Sequence, residues 1–314
     1  MVKLELNIPK NWFNAEIRDG YFVSRETKEM WAIQLDMLYK VQQICKKHNI
    51  KYWADGGTLL GAIRHNGFIP WDDDIDIAML REDYDRFIEV AKEELHDPYF
   101  LQTDWNDEVY FCHAKIRRSD TTCILAKDVP ANFKFNQGIF IDIFPLDKVP
   151  TDEEEYKRYV EHLWMIKNEI LFSRSRWWVY ERGNYDLYMK CKNDRDSFDR
   201  LRKIYNNTDT PMIANLSLPS VNDEIRKELR DYNKTLYTQF EMLTIPIPYL
   251  YDNALTRQYG DYLTPVQNKT KHGTLLYDVG ISYKETSILK IDDNTDPEPE
   301  KGFGVYLQDK YEGY

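Results

Sequence analysis

The sequence predicts an α/β (α+β) fold, with a mixed-sheet core in its first half and a helical C-terminal region. Three observations carry this expectation. Between residues 50 and 95, a β-type run, a paired-glycine turn, a helical pattern, a second strand and a second helix follow one another, the alternation that builds a sheet covered by helices. The stretches 110–117 and 138–144 alternate with period two, as half-buried strands do. Beyond Pro150 the apolar residues recur every three to four positions instead.

The first helix is expected over 24–47, where Met30, Trp31, Met37, Leu38, Val41, Ile44 and Cys45 share a face and Ser24 is suited to cap the start. Ile50 to Ala54 reads as a strand closed by Asp55-Gly56-Gly57-Thr58, with a helix from Leu59 to about His65. After the turn at Asn66-Gly67, Asp74-Ile75-Asp76-Ile77 alternates strictly, putting both carboxylates on one strand face and both isoleucines on the other. A helix over 82–95 follows. In 110–117, Tyr110, Cys112, Ala114 and Ile116 face one way, and Phe111, His113, Lys115 and Arg117 the other. The run 138–144 is the most strand-like in the chain, and Asp142 is the single charge within it; such a carboxylate needs a partner to be buried. Thr151 and Glu154 form a capping-box pattern ahead of a helix through Tyr156, Val160, Leu163 and Ile170, which a basic aromatic segment at 173–182 interrupts. Further helices are expected over 220–240 and 249–259, the latter stopped by Gly260.

Charge and composition narrow the function classes. The 314 residues carry 42 Lys+Arg against 53 Asp+Glu, a net charge of −11, which argues against a nucleic-acid binder because phosphate neutralisation needs basic surface. With 42% hydrophobic residues and 13 each of Gly and Pro, disordered and collagen-like classes are excluded. The four cysteines show no CxxC spacing and read as buried thiols in a reducing compartment. The N-terminal residues lack the apolar run of a secretory signal, and no stretch has the ~20 apolar residues of a membrane span. A cytoplasmic location is expected, compatible with peripheral contact at the inner face of a membrane.

The densest chemical signal runs from Asp55 to Ile77. Aspartates at 72, 73, 74 and 76 repel one another unless solvated or holding a cation, and oxygen-only ligands select a hard ion, Mg²⁺ or Mn²⁺. Paired glycines opening a helix allow close backbone approach, and the helix's first N–H groups suit phosphate oxygens. An EF-hand is rejected, because Ile77 stands where it needs Gly and Asp83 where it needs Glu.

The stretch WADGGTLLGAIRHNGFIPWDDDIDIAM, supported by AKIRRSDTT, FIDIFPLD and more faintly RQYGDYLTP, resembles the signature of the LicD family of phosphocholine transferases, which includes fukutin-related proteins. That resemblance implies a nucleotidyltransferase-like core over 1–150; the helical spacing makes 151–285 a mainly helical region, expected as the acceptor side, and the acidic, proline-containing end reads as an extended tail over 286–314. It implies a CDP-alcohol donor, CDP-choline or a relative, from which a phospho-alcohol group passes to a hydroxyl of a saccharide or lipid-linked saccharide with release of CMP. The residues expected to do this are Asp74, Asp76 and Asp142 as catalytic groups, and Asp72, Asp74, Asp76 and Asp142 as metal ligands. Asp142 is either the third ligand or the base that takes the acceptor proton. Gly56, Gly57, Thr58, Arg64, Lys115 and Arg117 are expected at the donor. The rival readings are a Mn²⁺-dependent glycosyltransferase using a nucleotide sugar, and an inactive binding module that keeps the fold.

Overall fold

A computed structural model describes residues 1–107, 109–126, 135–179, 183–220, 226–266 and 275–286. The expected tail over 286–314 lies, from residue 287 on, outside the described residues. The strands are β1 (Glu16–Arg18), β2 (Tyr21–Val23), β3 (Trp53–Ala54), β4 (Asp76–Leu80), β5 (Tyr99–Gln102), β6 (Ala114–Arg118), β7 (Thr122–Leu125), β8 (Ile139–Val149), β9 (Met212–Asn215), β10 (Arg226–Glu228), β11 (Thr235–Phe240), β12 (Leu243–Pro248) and β13 (Leu275–Asp278). The helices are α1 (Arg25–His48), α2 (Gly56–His65), α3 (Arg81–Glu94), α4 (Glu153–Val179), α5 (Tyr185–Leu201) and α6 (Tyr251–Tyr259). The fold is α/β, as the sequence predicts.

Seven strands form the central sheet around β8, the longest of them. β4 pairs with β8 in parallel over residues 142–146. Along the other edge of β8, β6 pairs antiparallel with its first half and β9 with its last residues. β3, β5 and β10 complete the sheet on β4, β6 and β9. The parallel β4–β8 pair is reached through α3, β5 and β6, a crossover long enough for parallel strands. Because β9 and β10 extend this sheet, the boundary expected at residue 150 falls inside it, and five strands accompany α4–α6 in the later segment.

α1 packs beneath β6 and β8. Ser24 caps it, accepting from the Thr27 N–H at 3.1 Å, and Asn49 ends it in the left-handed conformation, φ 51°. Residues Met30 to Leu38 are buried on every side, with Trp31 stacked on Phe68 at 4.5 Å. A segment buried on every side must satisfy its polar groups internally. Asp36 does so by accepting from the Glu5 and Leu6 N–H groups at 2.7 Å, from the Tyr99 hydroxyl at 2.6 Å, and from Arg118 at 2.7 Å. α4 and α5 make a hairpin with its own apolar core, including Tyr156, Val160, Leu163, Cys191 and Phe198.

Several sequence expectations need correction. β4 begins at Asp76, so Asp74 lies in the turn before the strand rather than on its face. Only 114–118 of the second alternating stretch is a strand; Cys112, at φ 66°, breaks it. Asp152, not Thr151, caps α4, accepting from the Glu155 N–H at 2.8 Å, and α4 runs on through the basic segment to Val179. The helix expected over 220–240 is absent among the described residues: they form β10, a 3-10 turn and β11, which pairs with β12 through Glu241-Met242. Leu229, Tyr232, Leu236 and Phe240 mimic helical spacing by coincidence, while Leu-Thr-Ile-Pro-Ile-Pro at 243–248 supplies the partner strand whose two prolines no helix would keep.

Candidate active site

Strand register builds the site. Asp76 lies directly opposite Asp142 on the parallel β4–β8 pair, and Lys115 lies opposite Asp142 on β6. Three strands therefore carry Asp76, Asp142 and Lys115 in one row. The Asp76 N–H donates to the Thr58 hydroxyl at 2.8 Å, and the Asp142 N–H donates to the Ile75 carbonyl at 2.9 Å. Asp72, Asp73 and Asp74 each bring a carboxylate oxygen within 4.8 Å of the others. Asp73 thus joins a set from which strand alternation had omitted it. α1 orients this acidic turn from below, with Trp31 Nε1 donating to the Asp72 carbonyl at 3.0 Å and Gln34 Nε2 to the Asp73 carbonyl at 2.7 Å.

The glycine turn lies against these carboxylates. A Cβ on Gly56, which sits at φ 51°, would come 3.2 Å from Asp76 Oδ2, and one on Gly57 would come 2.5 Å from Asp72 Oδ2. The first position favours glycine for its backbone, the second for the space it leaves. Both glycines and Thr58 form the first turn of α2, which starts earlier than the sequence suggests.

Electrostatics divide the aspartates. Burial, then the charges of Asp74, Asp142, Asp55 and Asp72, push Asp76 well above the usual carboxylate range. Burial also acts to raise Asp142, but Lys115 and His113 outweigh it and hold that carboxylate well below the range. Lys115 pairs with Asp142 Oδ1, and its ammonium lies 3.9 Å from the Phe140 ring centroid. His113 Nε2 is 3.2 Å from the same oxygen and its Nδ1 2.9 Å from the Phe111 carbonyl. Both ring nitrogens meet acceptors, which only an imidazolium satisfies, yet burial pulls the His113 pKa down to about 4 against the pull of Asp142.

The other expected donor contacts lie elsewhere. Arg64 is in the last turn of α2, about 12 Å along the axis from Gly56. It donates to His65 Nε2 at 2.9 Å and to the Tyr262 carbonyl at 3.0 Å, and it lines a polar pocket of about 630 Å³ with Arg18, Asp19 and Glu241. Arg117 is buried, donating to Gln102 Oε1 at 2.6 Å and the Gly138 carbonyl at 2.7 Å.

Two side chains at the site escaped sequence reasoning. Tyr259 of α6 is 39% exposed, and its hydroxyl lies 3.9 Å from the position of a Gly56 Cβ. Burial there and the charges of Asp55, Asp76, Asp72 and Asp74 raise its pKa. Lys227 of β10 is buried in a salt bridge with Asp55. Tyr259 had a faint signal in RQYGDYLTP; Lys227 had none. The donor set of the acidic turn, carboxylate oxygens throughout, fits a hard divalent cation.

Residues 49–181 match the family described as LicD/FKTN/FKRP, nucleotidyltransferase domain. The chain is 29% identical over 268 residues to the lipopolysaccharide cholinephosphotransferase LicD of Haemophilus influenzae, covering 78% of this chain and 95% of that protein. It is 53% identical over 34 residues to the human ribitol 5-phosphate transferase FKRP, 11% of this chain and 7% of that protein. An uncharacterized Rickettsia typhi protein is 40% identical over 80 residues, 25% of this chain and 26% of that one.

Proposed function

We propose that this chain, which carries a LicD-family nucleotidyltransferase domain over residues 49–181, is a transferase that moves a phospho-alcohol group, phosphocholine or a relative, from a CDP-alcohol to a hydroxyl of a glycan or glycolipid, releasing CMP. The observation that carries the reading is the register of Asp76 against Asp142, with the Gly56-Gly57 turn packed on Asp76 and Asp72. A paired-carboxylate row beside an uncrowded helix start suits a diphosphate, whose transfer needs positioning and charge neutralisation more than covalent help.

Asp72, Asp74, Asp76 and Asp142 would hold the Mg²⁺ or Mn²⁺, with Asp73 beside them. When bound, the ion supplies positive charge to the phosphate oxygens and to the leaving CMP. The chain's own residues then do the following. Gly56 and Gly57 admit the donor close to the carboxylates. Lys115 and His113 keep Asp142 ionised and fix its Oδ1. With Lys115 and His113 both already on its Oδ1, Asp142 serves as a ligand rather than as the acceptor of the hydroxyl proton. The acceptor oxygen attacks the phosphorus that bears the alcohol, the bond from that phosphorus to the bridging oxygen breaks, CMP departs with that oxygen, and the hydroxyl proton passes to the departing phosphate or to water.

The test is turnover. Purified protein with Mg²⁺ or Mn²⁺ and a saccharide acceptor should release CMP from CDP-choline, CDP-ethanolamine or a CDP-polyol, followed by ³¹P NMR. Release of a nucleoside diphosphate from a nucleotide sugar instead would support the glycosyltransferase reading. No turnover or binding of any of them would favour the inactive module. Among the described residues no helix is long and apolar enough to cross a membrane.

A further inference from the structure

We propose that Lys227 is a positioning residue of the donor site, acting by holding the Asp55 carboxylate off the N-terminus of α2. The proposal rests on the function just proposed, for what it says about the donor. Asp55 is the N-cap residue of α2, at φ −130° and ψ 167°. Residue type and backbone are both those of a side chain that accepts from the N–H of the second or third helical residue. Yet Asp55 makes no capping hydrogen bond. Its Oδ1 is paired with the Lys227 ammonium instead, and both residues are buried, 7% and 6% exposed.

That pairing is costly to build. Lys227 comes from an edge strand 172 residues further along the chain, and a lysine is seldom buried without a fixed partner. α6 secures the strand, with Arg257 donating to the Arg226 carbonyl at 3.0 Å and to Glu228 at 3.1 Å. Thr58, the other side chain able to reach the helix start, is turned to the Asp76 N–H. Neither Asp55 nor Thr58 therefore caps the first turn of α2, which faces Asp72 and Asp76. A carboxylate released from Lys227 would swing onto these N–H groups, occupying them and adding a negative charge where a diphosphate must approach. Lys227 prevents both, without meeting the donor itself.

The experiment compares full-length wild type, Lys227→Arg, Lys227→Met and the double variant Lys227→Met/Asp55→Ala. Steady-state kinetics with CDP-choline are measured beside deuterium exchange of the peptide spanning 56–58. Lys227→Met should raise the donor KM at least tenfold with kcat within about twofold, and slow exchange at 56–58. Lys227→Arg and the double variant should stay within about threefold of wild-type KM. A raised KM in the double variant would show Lys227 touching the donor and overturn the proposal. So would a fall in kcat at unchanged KM, or unchanged exchange, in Lys227→Met. If Lys227→Met does not fold, the double variant, which buries neither charge, decides by its KM alone. The exchange measurement needs no donor: a wild type that turns over no CDP-alcohol refutes the proposed function and leaves the Asp55 restraint decided by exchange.

Discussion

Replacing Asp76 with Asn should make the metal-free protein more stable while abolishing transfer. Asp76 sits opposite Asp142 on neighbouring strands about 4.8 Å apart, and Asp55, Asp72 and Asp74 also raise its pKa. Two unit charges about 5 Å apart at an effective dielectric near 20 repel by about 3 kcal/mol. Lys115 beside Asp142 and Lys227 beside Asp55 offset part of this, so the relief on losing the Asp76 charge should be about 1–3 kcal/mol. For 314 residues that corresponds to a rise in Tm of about 2–5 °C. The sign with pH follows from the raised pKa. The protonated carboxyl is the form the fold favours, so its contribution is present at acid pH and lost as pH rises through the folded-state pKa. The stability gap between Asp76→Asn and wild type should accordingly be small near pH 4 and full near pH 8. Thermal melts by circular dichroism in excess chelator, across that range, measure it. Added Mn²⁺ should raise the Tm of wild type by mass action and leave Asp76→Asn nearly unmoved. If Asp76→Asn melts at or below wild type in chelator at pH 8, Asp76 makes a stabilising contact and the repulsion argument fails.

Asp142→Asn should weaken Mn²⁺ and CDP-choline binding together by calorimetry and slow transfer at least about a hundredfold; slowed transfer with intact donor affinity would instead make Asp142 the base. Gly57→Ala should gain about 0.5–1 kcal/mol of helix stability where its backbone permits, yet lose transfer about tenfold or more, because its Cβ would displace the Asp72 carboxylate; urea melts and kcat are the two readouts. Arg118→Met leaves Asp36 buried without its cation, so about 3–5 kcal/mol of stability should be lost while kcat per folded molecule stays within about twofold.

The part of the site that was legible in sequence is the part written in short-range pattern. Period two around Asp142 puts it on the opposite face from Ile139, Ile141 and Ile143, and the parallel register with β4 then sets it against Asp76. The glycines were legible because a pair of them ahead of a helical pattern marks close backbone approach, and the structure sets a left-handed Gly56 and a crowded Gly57 against carboxylates. Asp74 was misplaced because alternation runs one residue pair beyond the strand itself. Arg64 and Arg117 were proposed on charge alone, and charge does not say which carbonyl a guanidinium will choose. Arg117 had Gly138 and Gln102 within reach on its own sheet.

What stayed hidden came from tertiary contacts between segments with no shared periodicity. Lys227 follows no motif, and it stands in a region whose apolar spacing reads as helix. The pairing of Lys227 with Ile213 on β9, and the hold of α6 on β10, bring that region to the Asp55 turn. The consequence is a division of charge that the sequence does not display. Fixed cations serve the flanks of the row, Lys115 at Asp142 and Lys227 at Asp55, whereas Asp76 between them has its pKa driven up by burial and then by four other carboxylates. A protein cation beside Asp76 would settle that repulsion permanently and close the place to any ligand. Under the proposed function, leaving the centre of the row strained and its edges neutralised would reserve the electrostatic gain for an ion and a diphosphate, which is where a transferase needs it.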